Sequence, residues 1–143
     1  MGSGKVLLVD DEEEFVEALG MRLEARGFSV DVAHTGDAAL EKAHEKAFDA
    51  IVLDLAMPGM DGIETLKRLR ELNPDSQVIL LTGWATVQKA TEAMRHGALD
   101  LLEKPVEIEV LVERINEATT NKIRLDEKRI GDEVSDILRK KGW

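Results

Sequence analysis

The sequence predicts an α/β fold, a (βα)5 chain whose doubly wound parallel sheet is covered by helices on both faces. Three observations carry this reading: short apolar runs bounded by charged or turn residues, helix-period segments between them, and polar residues clustered where the runs stop. A length of 143 residues fits one domain plus a short appendage.

Val6-Leu7-Leu8-Val9 is the first run, uniformly apolar as a strand buried on both faces should be. Phe15, Leu19 and Leu23 then recur at helical spacing, and Gly27 follows where a left-handed terminator belongs. Phe28-Ser29-Val30-Asp31-Val32 alternates apolar with polar and reads as a less buried edge strand. From Asp37 to Lys46 runs a second helix with a weaker apolar stripe. Ile51-Val52-Leu53 is again a buried strand. The third helix carries Ile63, Leu66 and Leu69, opened by Asp61 with Glu64 three residues on, a capping-box-like start. Val78-Ile79-Leu80-Leu81 is the fourth strand, followed by a helix with Val87, Ala90 and Met94, the last expected in the core. Gly97 ends that helix, and Leu99-Asp100-Leu101 alternates as the other edge strand. Ile108, Leu111, Val112 and Ile115 mark the fifth helix. Right-handed crossovers and short loops then place ligands outside the carboxyl ends of the strands.

After about Thr120 the pattern changes, which divides the chain into a main domain over 1–120 and a helical extension or linker stub over 121–143. Ile123, Ile130, Val134 and Ile137 stand there at roughly heptad spacing, interrupted by Gly131. Either the last helix runs on as a partner-seeking coil or the segment is a frayed stub.

Charge separates the same two parts. Net charge is −10, yet residues 121–143 hold seven Lys/Arg against five Asp/Glu, which leaves about −12 on the first 120. Such an acidic domain argues against nucleic acid or an anionic membrane as the main partner and suits proteins or divalent cations. Without cysteine there are no disulfides. No apolar run approaches the ~20 residues of a membrane span and no signal-peptide pattern opens the chain, so a cytoplasmic setting is expected. Gly2-Ser3-Gly4-Lys5 lacks the preceding strand that a phosphate loop needs. His34, His44 and His96 show no metal-ligand spacing and read as surface or loop residues.

Polar residues stand where the strands stop: Asp10-Asp11 after the first, Asp54 after the third, Thr82 after the fourth, and Lys104-Pro105 after the fifth. In a parallel sheet these ends share one edge, so carboxylates, a hydroxyl and an amine converge on one shallow pocket. Clustered carboxylates invite a hard cation such as Mg²⁺. One carboxylate can then attack phosphorus in line, while the lysine and the hydroxyl meet other phosphoryl oxygens. Each residue alone has a plainer reading. An acidic pair caps a helix, Asp54 opens a Met57-Pro58-Gly59 turn, Thr82 is an N-cap and Lys104 is a solvated surface lysine. Their joint occurrence at successive strand ends reverses that balance.

In these residues the chain resembles the receiver domain of two-component response regulators. Val9-Asp10-Asp11, Leu53-Asp54-Leu55-Ala56-Met57-Pro58-Gly59-Met60-Asp61-Gly62, Leu81-Thr82-Gly83 and Glu103-Lys104-Pro105 match the family's motifs in order and spacing, over about residues 5–120. The segment from Thr82 to Ala98 is similar to receivers of AAA+ transcriptional activators. The resemblance implies a flavodoxin-like sheet of strand order 2-1-3-4-5. Asp54 would accept a phosphoryl group from a sensor histidine kinase or phosphotransfer protein. Asp11, Asp54 and the backbone carbonyl of Ala56 would hold Mg²⁺, with Asp10 acting largely through a bound water. Thr82 and Lys104 would close on the phosphoryl group, with a cis peptide before Pro105. The role would be signalling, with only self-catalysed phosphotransfer and autodephosphorylation as chemistry. The altered surface would lie on the fourth helix, fifth strand and fifth helix, and a homodimer would use that face or the C-terminal extension.

Two positions depart from the family pattern. Leu101 stands where an aromatic ring commonly moves during switching. Trp84 is expected at the pocket mouth, either shielding the acyl phosphate from water or facing a partner. Two rival functions remain open. A receiver acting without phosphorylation, as a protein-binding module, would draw on Leu101. A phosphohydrolase using an aspartyl-phosphate would need a general acid or base, which Ala56, two residues past Asp54, cannot provide.

Overall fold

A computed structural model describes residues 4–56, 61–83 and 87–141. Trp84 and residues 57–60 lie outside them, together with the expectations placed on those residues. The elements alternate throughout: β1 Lys5–Val9, α1 Glu13–Glu24, β2 Ser29–Ala33, α2 Gly36–Glu45, β3 Ala50–Leu53, α3 Gly62–Leu72, β4 Val78–Thr82, α4 Val87–Arg95, β5 Asp100–Glu103 and α5 Ile108–Lys140. All pairings are parallel, in the order β2-β1-β3-β4-β5. Both doubly wound topology and strand order are as anticipated.

Because side chains alternate along a strand, the apolar runs supply two cores. Leu7, Val9, Ile51, Leu53, Val78 and Leu80 face α2, α3 and α4. Val6, Leu8, Val52, Ile79 and Leu81 face α1 and α5. The edge strands are less enclosed, with half-buried residues along β2 and β5. Gly27 and Gly97 both have positive φ, at 97° and 90°, and let the chain turn after α1 and α4. Thr35 caps the weakly patterned α2 by accepting from the Ala38 amide, which offsets its thin stripe. At α3 the Asp61 carboxylate accepts from the Glu64 amide.

Helix α4 sits in a different phase from that expected. Among its described side chains Ala93 is fully buried, while Met94 is 47% exposed. A methyl at 93 lets the helix approach the sheet closely and turns the neighbouring thioether outward, where it lines a groove of about 590 Å³ with Ala90 and Leu101. Helix α5 is continuous through Gly131. Its 33 residues span roughly 50 Å at 1.5 Å per residue. Ile108, Leu111, Ile115 and Ala118 anchor the first half in the core, whereas Ile123, Ile130, Val134 and Ile137 are each about half exposed.

Candidate functional site

The strands stop along one edge of the sheet, and the backbone there ties them together before any side chain acts. The Asp54 amide donates to the Val9 carbonyl at 3.0 Å, the Asp10 amide to Ala33 at 3.1 Å, and the Lys104 amide to Thr82 at 2.9 Å. Asp10, Asp54, Thr82 and Lys104 are therefore fixed to adjacent strand ends. Gly62 brings α3 against the same edge. A Cβ there would lie 2.3 Å from Leu55 Cα and 2.6 Å from the Asp54 carbonyl oxygen, so only glycine permits this approach.

Asp10 and Asp54 are 4% exposed and Thr82 is fully buried. Asp10 Oδ1 accepts from the Glu12 amide at 2.9 Å, and Asp54 Oδ1 from the Ala56 amide at 3.1 Å. Between the carboxylates stands Lys104, whose Nζ lies 2.6 Å from Asp10 Oδ2, 3.0 Å from Glu12 Oε1 and 3.6 Å from Asp54 Oδ2. The Lys104–Pro105 peptide is cis. His34, expected on a loop, is half-buried there with Nδ1 3.2 Å from the Asp10 carbonyl oxygen.

Burial pushes the Asp10 pKa up, and the Asp54 charge adds to this. The Lys104 hydrogen bond, the Glu12 amide and the Lys104 charge oppose it without cancelling it. For Lys104 burial pulls downward, but hydrogen bonds to Asp10 and Glu12 and the charges of Asp10 and Asp54 outweigh it, so its pKa is raised. The lysine is therefore held as an ammonium.

Asp10, Glu12 and Asp54 each offer a carboxylate oxygen, all within 4.8 Å of one another among the described residues. Such a set of hard oxygen donors fits a divalent cation of the Mg²⁺ or Ca²⁺ type. Asp11 is exposed and stands outside that trio, where Glu12 lies instead. Ala56 is exposed beside Asp54. Sequence reasoning assigned Glu12 no role at this site. It overlooked that Asp10 accepts from the Glu12 amide, which pins that residue at the pocket, and it overlooked Phe15, whose ring centroid lies 4.4 Å from Lys104 Nζ.

A family model, the response regulator receiver domain, matches residues 6–116. The chain is 39% identical over 125 residues to the transcriptional regulatory protein ZraR of Klebsiella oxytoca, an alignment covering 87% of this chain and 28% of that protein. It spans between about a quarter and a half of the length of the first curated relatives it matches. A CheY-like receiver domain protein from Methanospirillum hungatei superposes with a TM-score of 0.82 at 28% identity, covering 86% of this chain and 98% of that one. A Burkholderia pseudomallei response regulator, crystallised with a phosphorylated aspartic acid, calcium ion and citrate, gives 0.75 at 28% identity, covering 96% and 85%.

Proposed function

The chain belongs to the response regulator receiver family of two-component systems, and from that premise we propose that Asp54 is its phosphoacceptor. The observation that supports this is the convergence of Asp10, Asp54 and Lys104 at the strand ends, within 3.6 Å of one ammonium. An Asp54 carboxylate oxygen attacks phosphorus of a phosphohistidine on a sensor kinase or phosphotransfer protein. The P–N bond breaks, its electron pair returns to the imidazole, and that ring takes a proton from solvent. Asp10, Asp11, Asp54 and the Ala56 carbonyl would hold Mg²⁺, which when bound neutralises phosphoryl charge. Lys104 offers its ammonium to one phosphoryl oxygen and Thr82 its hydroxyl to another. The reaction is self-catalysed, and the biological output is a switched surface rather than turnover of a substrate.

Residues 1–120 act as the switch, and 121–143 as a helical extension of it. The groove formed by Ala90, Met94, Asp100 and Leu101, together with the half-exposed isoleucines of α5, would carry protein contacts, a homodimer among them. No helix among the described residues is long and apolar enough to cross a membrane, and a cytoplasmic setting suits the kinase partner. Mixing the protein with Mg²⁺ and acetyl phosphate tests the reading. Wild type should gain the mass of one phosphoryl group and Asp54→Ala none; identical behaviour of the two would leave a receiver that works without phosphorylation.

A further inference from the structure

Lys104 is held mainly by the turn after β1 rather than by Asp54. Its two shortest ionic contacts, to Asp10 and Glu12, and its ring contact, to Phe15, all come from that turn and the first turn of α1. The 3.6 Å to Asp54 Oδ2 is beyond hydrogen-bond range. These holders differ in freedom. The Asp10 side chain is 6% exposed but that of Glu12 is 63% exposed, so Glu12 can swing into water while Asp10 cannot. Phe15 is half-buried and presents its π face at 4.4 Å, inside the range of a cation–π contact.

We propose that Glu12 and Phe15 are opposed positioning residues for Lys104. Glu12 holds the ammonium back from Asp54 in the resting protein, and Phe15 gives it an apolar face that keeps it inside the pocket as it moves to the phosphoryl group. This rests on the phosphoacceptor reading above. A phosphoryl group on Asp54 brings more negative charge and more acceptor oxygens than the single Glu12 carboxylate. The ammonium therefore exchanges Glu12 for a phosphoryl oxygen, and Glu12 returns to solvent. A short shift toward Asp54 leaves Nζ within ~6 Å of the Phe15 ring, so that contact survives the exchange. Neither residue touches the reacting atoms. With acetyl phosphate the Asp54–phosphorus bond forms as the bond from phosphorus to the acetyl oxygen breaks, and acetate leaves with the electron pair.

The two roles predict opposite signs. Asp54 phosphorylation of the full chain by acetyl phosphate is followed by intact mass at saturating Mg²⁺, with cooperative thermal unfolding as the check on folding. Glu12→Gln should be about two- to fivefold faster than wild type, the size of a partly exposed ion pair. Glu12→Asp, one methylene shorter, should be faster by less. Phe15→Leu, which keeps the apolar bulk, should be about two- to fivefold slower, while Phe15→Tyr keeps the wild-type rate. The half-saturating Mg²⁺ concentration should not change in either Phe15 variant. Variants that shift together, or not at all, overturn the proposal. So does a slower Glu12→Gln with a raised Mg²⁺ requirement, which assigns Glu12 to the cation. A wild type phosphorylated on Asp54 at the same rate as all variants fails this inference alone. A wild type that takes no phosphoryl group fails the phosphoacceptor reading and this inference with it.

Discussion

Where the strands begin, polar groups close on one another in pairs. The Lys5 amide donates to Asp49 Oδ2 at 2.8 Å, Arg70 Nη1 to the Ser76 carbonyl at 2.6 Å, and Lys122 Nζ to Asp126 Oδ1 at 2.7 Å. Where the strands stop, Asp10, Glu12 and Asp54 share the single ammonium of Lys104. The first group gives each of these donors its own acceptor, while the second, among the described residues, leaves carboxylates in excess of cations in a largely buried place. Such an excess costs stability. Among the described residues, this excess where the strands stop, against paired contacts where they begin, separates a ligand site from ordinary surface chemistry.

Forcing the upper end apart should have the largest effect. Gly62→Ala puts a methyl into the Leu55 and Asp54 backbone. A loss of about 3 kcal/mol in denaturant unfolding is expected, because backbone rather than a flexible side chain must yield. An unchanged midpoint would show that α3 can withdraw freely.

A smaller effect of opposite sign should follow from removing the buried charge. The Asp10 pKa is raised above its ordinary 3.8, burial being the chief cause. A raised carboxylate contributes stability below its unfolded value and loses it as pH rises through the folded value. At neutral pH the Asp10 charge thus weakens the fold. Asp10→Asn should raise the Tm of the cation-free protein by about 2–4 °C, the shift that about 1 kcal/mol gives at this size, and should abolish added stabilisation by Mg²⁺. A lower Tm would mean that Lys104 needs this carboxylate more than the pocket resents it.

The lower end should respond least. Lys122 is 8% exposed and paired within its own helix. Lys122→Met keeps the buried stem and should move stability by no more than about 0.5 kcal/mol, with the rate of phosphoryl uptake unaltered. A loss comparable with that of Gly62→Ala would erase the distinction between the two ends.

The sheet was legible in the sequence because strands buried on both faces must be continuous apolar runs, and Val6 to Val9 and Val78 to Leu81 could hardly be anything else. Strand ends followed from the runs, so Asp10, Asp54, Thr82 and Lys104 could be placed along one edge. Side-chain direction within a turn could not. Three consecutive charged residues, Asp10 to Glu12, look alike in sequence, and backbone direction alone turns Asp10 and Glu12 toward Lys104 while Asp11 is exposed. The misplaced phase of Met94 has a related source, since the residue at the closest approach is Ala93, whose small side chain does not stand out in sequence beside the larger apolar Met94. Gly131 was a weak stop because one glycine costs only ~1 kcal/mol in a helix interior, and α5 continues through it.

The central claim concerns one carboxylate, and locating the phosphoryl group tests it most directly. After reaction with acetyl phosphate and Mg²⁺, borohydride trapping and peptide mapping should place a single modification on Asp54, and Asp54→Ala should carry none. A modification found at Asp10, Asp11 or Glu12 in the wild type, or none at any carboxylate, would contradict the account.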